Sequence, residues 1–250
     1  MLTDPVFYLL AVPAVVFAGI SKGGFGSGAA FAATPILALI VEPAVALGIM
    51  LPLLMLVDAV TLRPYWRRWS WPDARALIIG ALPGVALGAW LYQVANADVF
   101  RIMIGVLSLG FVAYQLGFAR GNLRVQTRPF PKWVGLGAGT VAGFTSFVSH
   151  AGGPPVAVYL LARGLAKTTY QATTVLTFWA VNILKAVPYA FLGIFTFETL
   201  TLNVILAPAA LVGAWLGVVA HRLVPERVFF AITYVLLVCT GSKLIFDALT

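Results

Sequence analysis

Charge is what this chain lacks most. Of its 250 residues only 10% are Asp, Glu, Lys or Arg, where a soluble domain carries about a quarter. That shortfall excludes a water-facing surface over most of the chain. Cysteine is nearly absent too: Cys239 stands alone, so an intrachain disulfide is impossible and thiolate metal sites are not expected. It reads as a small apolar residue inside the last span. There is no metal-binding His pair or HExxH pattern, no Ser/His/Asp set, and no Gly-Lys-Ser/Thr at Walker spacing. Enzymatic activity, a metal and a cofactor are therefore not expected. Met1-Leu2-Thr3-Asp4 lacks the basic n-region of a signal peptide, and no small-residue cleavage site is evident after it, so the first apolar run is expected to be retained.

What is present is apolar sequence, 61% hydrophobic with a mean hydropathy of +0.99. A membrane span needs roughly 20 such residues. Runs of that kind lie at 43–62, 76–95, 99–119, 168–192, 200–220 and 227–246, with two longer, interrupted runs at 5–41 and 133–163. The net charge of +8 sits between the runs, where positive-inside bias explains it without a nucleic-acid partner. An all-α polytopic membrane protein with about eight apolar segments is expected, with the lipid bilayer as its main surroundings.

The halves repeat. Gly88-Ala89-Trp90-Leu91 recurs as Gly213-Ala214-Trp215-Leu216, and Pro83 matches Pro208, both at an offset of 125. Val57-Asp58 matches Val181-Asn182, Pro64-Tyr65 matches Pro188-Tyr189, and Ala18-Gly19 matches Ala142-Gly143, all at 124. This divides the chain into an N-terminal repeat (1–119), a basic linker (120–132) and a C-terminal repeat (133–250).

Charge bears on their relative direction. Arg63, Arg67, Arg68 and Arg75 surround one loop, and Arg120, Arg124, Arg128 and Lys132 fill another, so both are expected in the cytoplasm. If each interrupted run crossed once, Arg163, Lys167, Arg222 and Arg227 would fall on the wrong face. If each instead entered and returned as a re-entrant hairpin, they move to the cytoplasm. Asp4, Glu42, Asp98 and Glu198 then lie outside. Two inverted repeats follow, each a broken hairpin plus three transmembrane helices. A hairpin tip at mid-depth must be buried in protein or line a cavity.

The interruptions carry the chemistry. The first is Ser21-Lys22-Gly23-Gly24-Phe25-Gly26-Ser27-Gly28. A lysine at membrane depth calls for a counter-charge or an anionic ligand, and Gly23, Gly24 and Gly26 with Ser21 and Ser27 resemble an oxyanion cradle of backbone N–H and hydroxyl donors. The competing account is that Lys22 snorkels and the glycines pack helices. In the second, Thr145, Ser146, Ser149 and His150 precede Gly152-Gly153-Pro154-Pro155. Glycine and proline there stop one half-helix and start the next. His150 is a candidate proton-coupling residue, with a structural hydrogen bond as the plainer role.

Asp58 and Asn182, at matching positions, suggest a polar centre near the repeat axis. Asp58 is a candidate coupling residue, for a proton or Na+, or a partner of Lys22 or Lys185. Pairing with Arg63, five residues on, is the preferred expectation. Asn182 and Lys185 share a helical face and form a second donor pair for an anion, unless Lys185 snorkels outward. Thr173, Thr174 and Thr177 could add hydroxyls or bond their own backbone. The tryptophans mostly read as interface anchors.

The glycine-rich break, the glycine-proline break and the repeated Gly-Ala-Trp-Leu resemble the TauE/SafE family of sulfite exporter permeases over nearly the whole chain. The resemblance implies an exporter of sulfite, sulfoacetate or a related small anion. Lys22 and its neighbouring glycines would occupy the family's first motif, and Gly152, Gly153 and Pro155 the second. Ser149-His150 departs from it, since glycines are commoner there. Secondary transport of a small sulfur oxyanion by alternating access is the expected function. An anion channel, or an intramembrane enzyme using Ser149 or His150, is the alternative. Oligomeric assembly is left open.

Overall fold

The computed structural model describes residues 2, 4–25, 30–119, 130–223 and 226–250. It contains α1 (Pro5–Ile20), which continues into a π-helical turn (Ser21–Phe25), then α2 (Ala33–Ala38), α3 (Pro43–Leu62), α4 (Trp71–Val94) and α5 (Ala97–Ala119). The second half holds α6 (Lys132–Ser149), α7 (Gly153–Ala162), α8 (Lys167–Phe191), α9 (Phe197–Leu223) and α10 (Glu226–Leu249). Among the described residues seven helices are long and apolar enough to cross a bilayer. Their ends track the hydrophobic runs; α3 occupies 43–62 as expected. Exposed aliphatic side chains such as Leu9, Val204 and Val235 cover their outer faces, as lipid contact requires.

Helix directions establish how the halves are related. Asp58 on α3 meets Asn182 on α8, while Gly48 near the start of α3 lies against Ile194 just after α8. These two helices occupy matching positions in the repeats, yet they run antiparallel. The same holds for α5 and α10, where Gly105 meets Gly241 and Phe111 meets Tyr234. Equivalent helices running in opposite directions define an inverted repeat.

The hairpins follow from the same contacts. Along α7, Gly152 lies against Ala142, Tyr159 against Gly135, and Arg163 bonds the Phe130 carbonyl, so α7 runs back along α6. In the first half, α1 runs parallel to α9, with Gly19 against Ala210 and Gly24 against Gly217. Helix α3 also runs parallel to α9, because Gly48 bonds Asn203 near the α9 start while Lys22, beside Ala214 and Gly217, reaches Asp58. Two successive helices in one direction require the segment between them to return the chain. By length alone Pro5–Gly24 could span, but the chain doubles back.

Close approach depends on glycine. A Cβ on Gly84 would lie 2.0 Å from the Thr140 carbonyl oxygen, and one on Gly19 2.6 Å from that of Ala210. Helix α4 therefore packs on α6, and α9 on α1, backbone to backbone, as small-residue stripes allow in lipid. These two contacts exchange partners: each half's hairpin seats against the other half's helix. The cationic loop residues Arg63, Arg67, Arg68, Arg75, Lys132, Arg163 and Lys167 collect at one end, and Asp4, Glu42, Asp98 and Glu198 at the other. Arg101 and Lys243, toward the acidic end, are each paired with a neighbouring aspartate.

Candidate functional site

Where the tips of both hairpins meet α3 and α8, a polar network lies inside the bundle. Lys22, in the π turn, forms an ion pair with Asp58 and approaches the Leu54 carbonyl at 3.5 Å. Single π turns often mark functional positions in helices. The other Asp58 oxygen accepts from Asn182 Nδ2 at 2.8 Å. The matched polar pair of the two repeats is thus in direct contact. The expected partner Arg63 does not take part, which corrects that reading: Asp58 turns inward, where the returning hairpin brings Lys22 to it.

Three residues beyond Asn182, Lys185 is fully buried, with 0% exposure. It does not snorkel. Its ammonium donates to the Ser146 carbonyl at 3.0 Å, to Ser146 Oγ at 2.8 Å and to His150 Nδ1 at 2.8 Å. These three acceptors match its three N–H bonds. Among the described residues no carboxylate oxygen lies within 4.0 Å of it. Lys22 and Asp58 balance each other as an ion pair, whereas an ammonium at Lys185 has no carboxylate within the same reach among the described residues. Burying such a charge costs several kcal/mol unless an opposite charge meets it.

His150 caps α6 in a left-handed conformation, φ 58° and ψ 14°. Glycine or asparagine normally takes that position, and a larger residue there costs roughly 1–3 kcal/mol. It is held by Lys185 on one nitrogen and by the Leu47 carbonyl, 3.4 Å from Nε2. An unprotonated Nδ1 and a protonated Nε2 satisfy both contacts. Tyr189 closes one side, its hydroxyl donating to the Phe147 carbonyl at 2.6 Å.

Other sequence candidates fall around this network. Ser21 and Ser149 are buried in the two breaks, and Ser149 Oγ donates to the Thr145 carbonyl. Gly23 and Gly24 press on α9, where a Cβ would lie 2.3 Å from the Ala214 oxygen and 2.1 Å from that of Gly217. Close packing accounts for both. Gly152 lies against Phe178 and Ser146, and Gly153 opens α7. Pro154 and Pro155 carry no N–H, so the first turn of α7 offers few backbone donors. Gly26 and Ser27 lie outside the described residues. Thr173, Thr174 and Thr177 bond carbonyls one turn back on α8.

Sequence reasoning left Ser146 out of the candidate set, although it stands 124 residues after Lys22 and so occupies the matching position. Asn203, a polar residue inside an apolar run, was missed as well. It donates to the Gly48 carbonyl, and its own side-chain oxygen is buried without a partner among the described residues.

The model of the sulfite exporter TauE/SafE family matches residues 11–244. The chain belongs to that family. Membership makes it a membrane transporter of sulfur compounds, and its apolar helices make it a multi-pass one. No curated protein and no solved structure gives a significant match.

Proposed function

We propose that this family member is a secondary carrier that exports a small sulfur oxyanion or organosulfonate, of the sulfite or sulfoacetate class, across the bacterial inner membrane. The halves 1–119 and 133–250, joined by the linker 120–132, rock against each other and expose the hairpin tips to one side at a time. The observation that carries this reading is the charge balance of the buried network. Lys22 is neutralised by Asp58, whereas Lys185 is held only by neutral acceptors. A buried ammonium without a counter-ion favours a small anion, and a sulfonyl group offers oxygens for several donors at once.

In this reading the anion meets Lys185, with Asn182, Ser149 and His150 around it. Lys22 borders the site and holds Asp58 rather than supplying net charge. The test is flux in proteoliposomes loaded with radiolabelled sulfite or sulfoacetate. Native protein should drive saturable exchange at carrier rates, and Lys185→Met should lose it. Currents far above carrier rates, or full flux in a well-folded Lys185→Met, would overturn the assignment.

A further inference from the structure

We infer that His150 and Lys185 form a proton-accepting dyad that lets the carrier take up one proton with a divalent anion and none with a monovalent one. This rests on the anion reading of the Lys185 site. The geometry supplies the reason. All three Lys185 N–H bonds are already used, by the two Ser146 oxygens and by His150 Nδ1. An oxyanion that binds the ammonium must displace an acceptor. One Ser146 acceptor is the α6 backbone carbonyl and the other the short hydroxyl of the same helical residue, whereas the longer imidazole of His150 reaches Lys185 from a strained left-handed cap. The imidazole is the acceptor that yields.

Its Nδ1 then has no donor, while Nε2 still faces the Leu47 carbonyl. A proton arriving at Nδ1 makes an imidazolium beside the anion. The charged or titratable groups facing His150 are Lys185 and Tyr189 on α8, and Lys22 in the π turn, whose charge Asp58 of α3 balances. With Lys22 and Asp58 cancelling, the site holds a single positive charge from Lys185. A monovalent anion neutralises it outright. A divalent anion leaves one negative charge, which protonated His150 cancels. One N–H forms at Nδ1 as an O–H of a hydronium ion on the loading side breaks and leaves water; on the other side the N–H breaks and the proton returns to water as the anion leaves.

The test uses anions whose own charge is fixed near neutral pH. Binding of thiosulfate and sulfoacetate (divalent) and of methanesulfonate and isethionate (monovalent) is followed by titration calorimetry on purified protein. Each is measured in two buffers of different ionisation enthalpy, which reports protons taken up. The divalent anions should bind with about one proton and weaken about tenfold per pH unit above the His150 transition, while the monovalent ones do neither. His150→Asn tolerates the left-handed backbone and cannot accept the proton, so whichever of the four anions it still binds should bind with the same heat in both buffers. Equal uptake for both classes, binding confined to monovalent anions, or unchanged uptake in His150→Asn would overturn the dyad. Failure of all four anions to bind would instead overturn the anion site itself. The divalent-to-monovalent contrast needs only the native chain, so a poorly folding variant does not blunt the test.

Discussion

The first hairpin brings a cation to a counter-ion on α3; the second brings neutral acceptors to a lysine on α8 that has no counter-ion among the described residues. Lys22 and Asp58 stand at positions that match Ser146 and Asn182 in the other half. One half keeps an ion pair and the other its neutral counterpart, with Asn182 bonding across to Asp58. Lys185 adds a charge that the first half does not mirror, since its matching position is Thr61. An inverted repeat with identical residues on both sides would present two equal charges to a solute. Here the contrast leaves a lysine without a carboxylate, among the described residues, on one side of the pseudo-axis only.

That contrast can be broken. The largest effect is expected from Lys185→Met, which should lower anion flux by about a hundredfold or more while the melting temperature in detergent holds or rises, since an unpaired buried charge is removed. Lys22→Met should do the opposite in kind. It strands Asp58 inside the bundle and should destabilise by about 3–5 kcal/mol, read as a lower midpoint in thermal unfolding. Adding Asp58→Asn to it should restore most of that loss. Next comes Gly84→Ala, whose new methyl would meet the Thr140 carbonyl oxygen. Overpacking of this kind costs about 1–3 kcal/mol, and the same unfolding measurement should register it.

A gentler change sharpens the comparison at the ends of the bundle. At the cationic end, the buried Asp73 accepts from Tyr159 at 2.9 Å, Arg163 at 2.8 Å and Ser70 at 2.5 Å, tying α7 to α4. At the opposite end α9 begins with a reciprocal Thr196–Thr199 cap. Asp73→Asn should speed hydrogen exchange across α7 by about tenfold, or ~1.4 kcal/mol. Thr199→Val should change exchange at the α9 start by less, near ~1 kcal/mol of capping. The smallest effect is expected from Lys243→Gln, which breaks an exposed pair one helical turn apart and should shift stability by less than ~0.5 kcal/mol.

Much of the architecture was legible because lipid imposes it. Helices α3, α5 and α10 announce themselves as unbroken apolar stretches, and the loop arginines force the hairpins once their side is chosen. A polar centre near the axis was legible as well, since the repeat assigns Asp58 and Asn182 matching positions, but their direct bond belongs to the structure. Asp58's ionic partner was not. Arg63 is near in sequence, but Lys22 is near in space, carried there by a chain reversal that no local pattern encodes. The roles of Gly23 and Gly24 were hidden for a similar reason: a glycine that admits a ligand and one that admits a neighbouring backbone look alike in sequence. His150 was noticed for its proton chemistry, whereas its left-handed backbone belongs to the fold alone.

The swapped seating of α1 on α9 and of α6 on α4 has an implication for how the molecule is built and studied. Neither half owns a complete interior, because its re-entrant element finds its groove only on the other's surface. A chain severed within 120–132 should therefore give two fragments that are unstable when made singly and that reassemble when produced together.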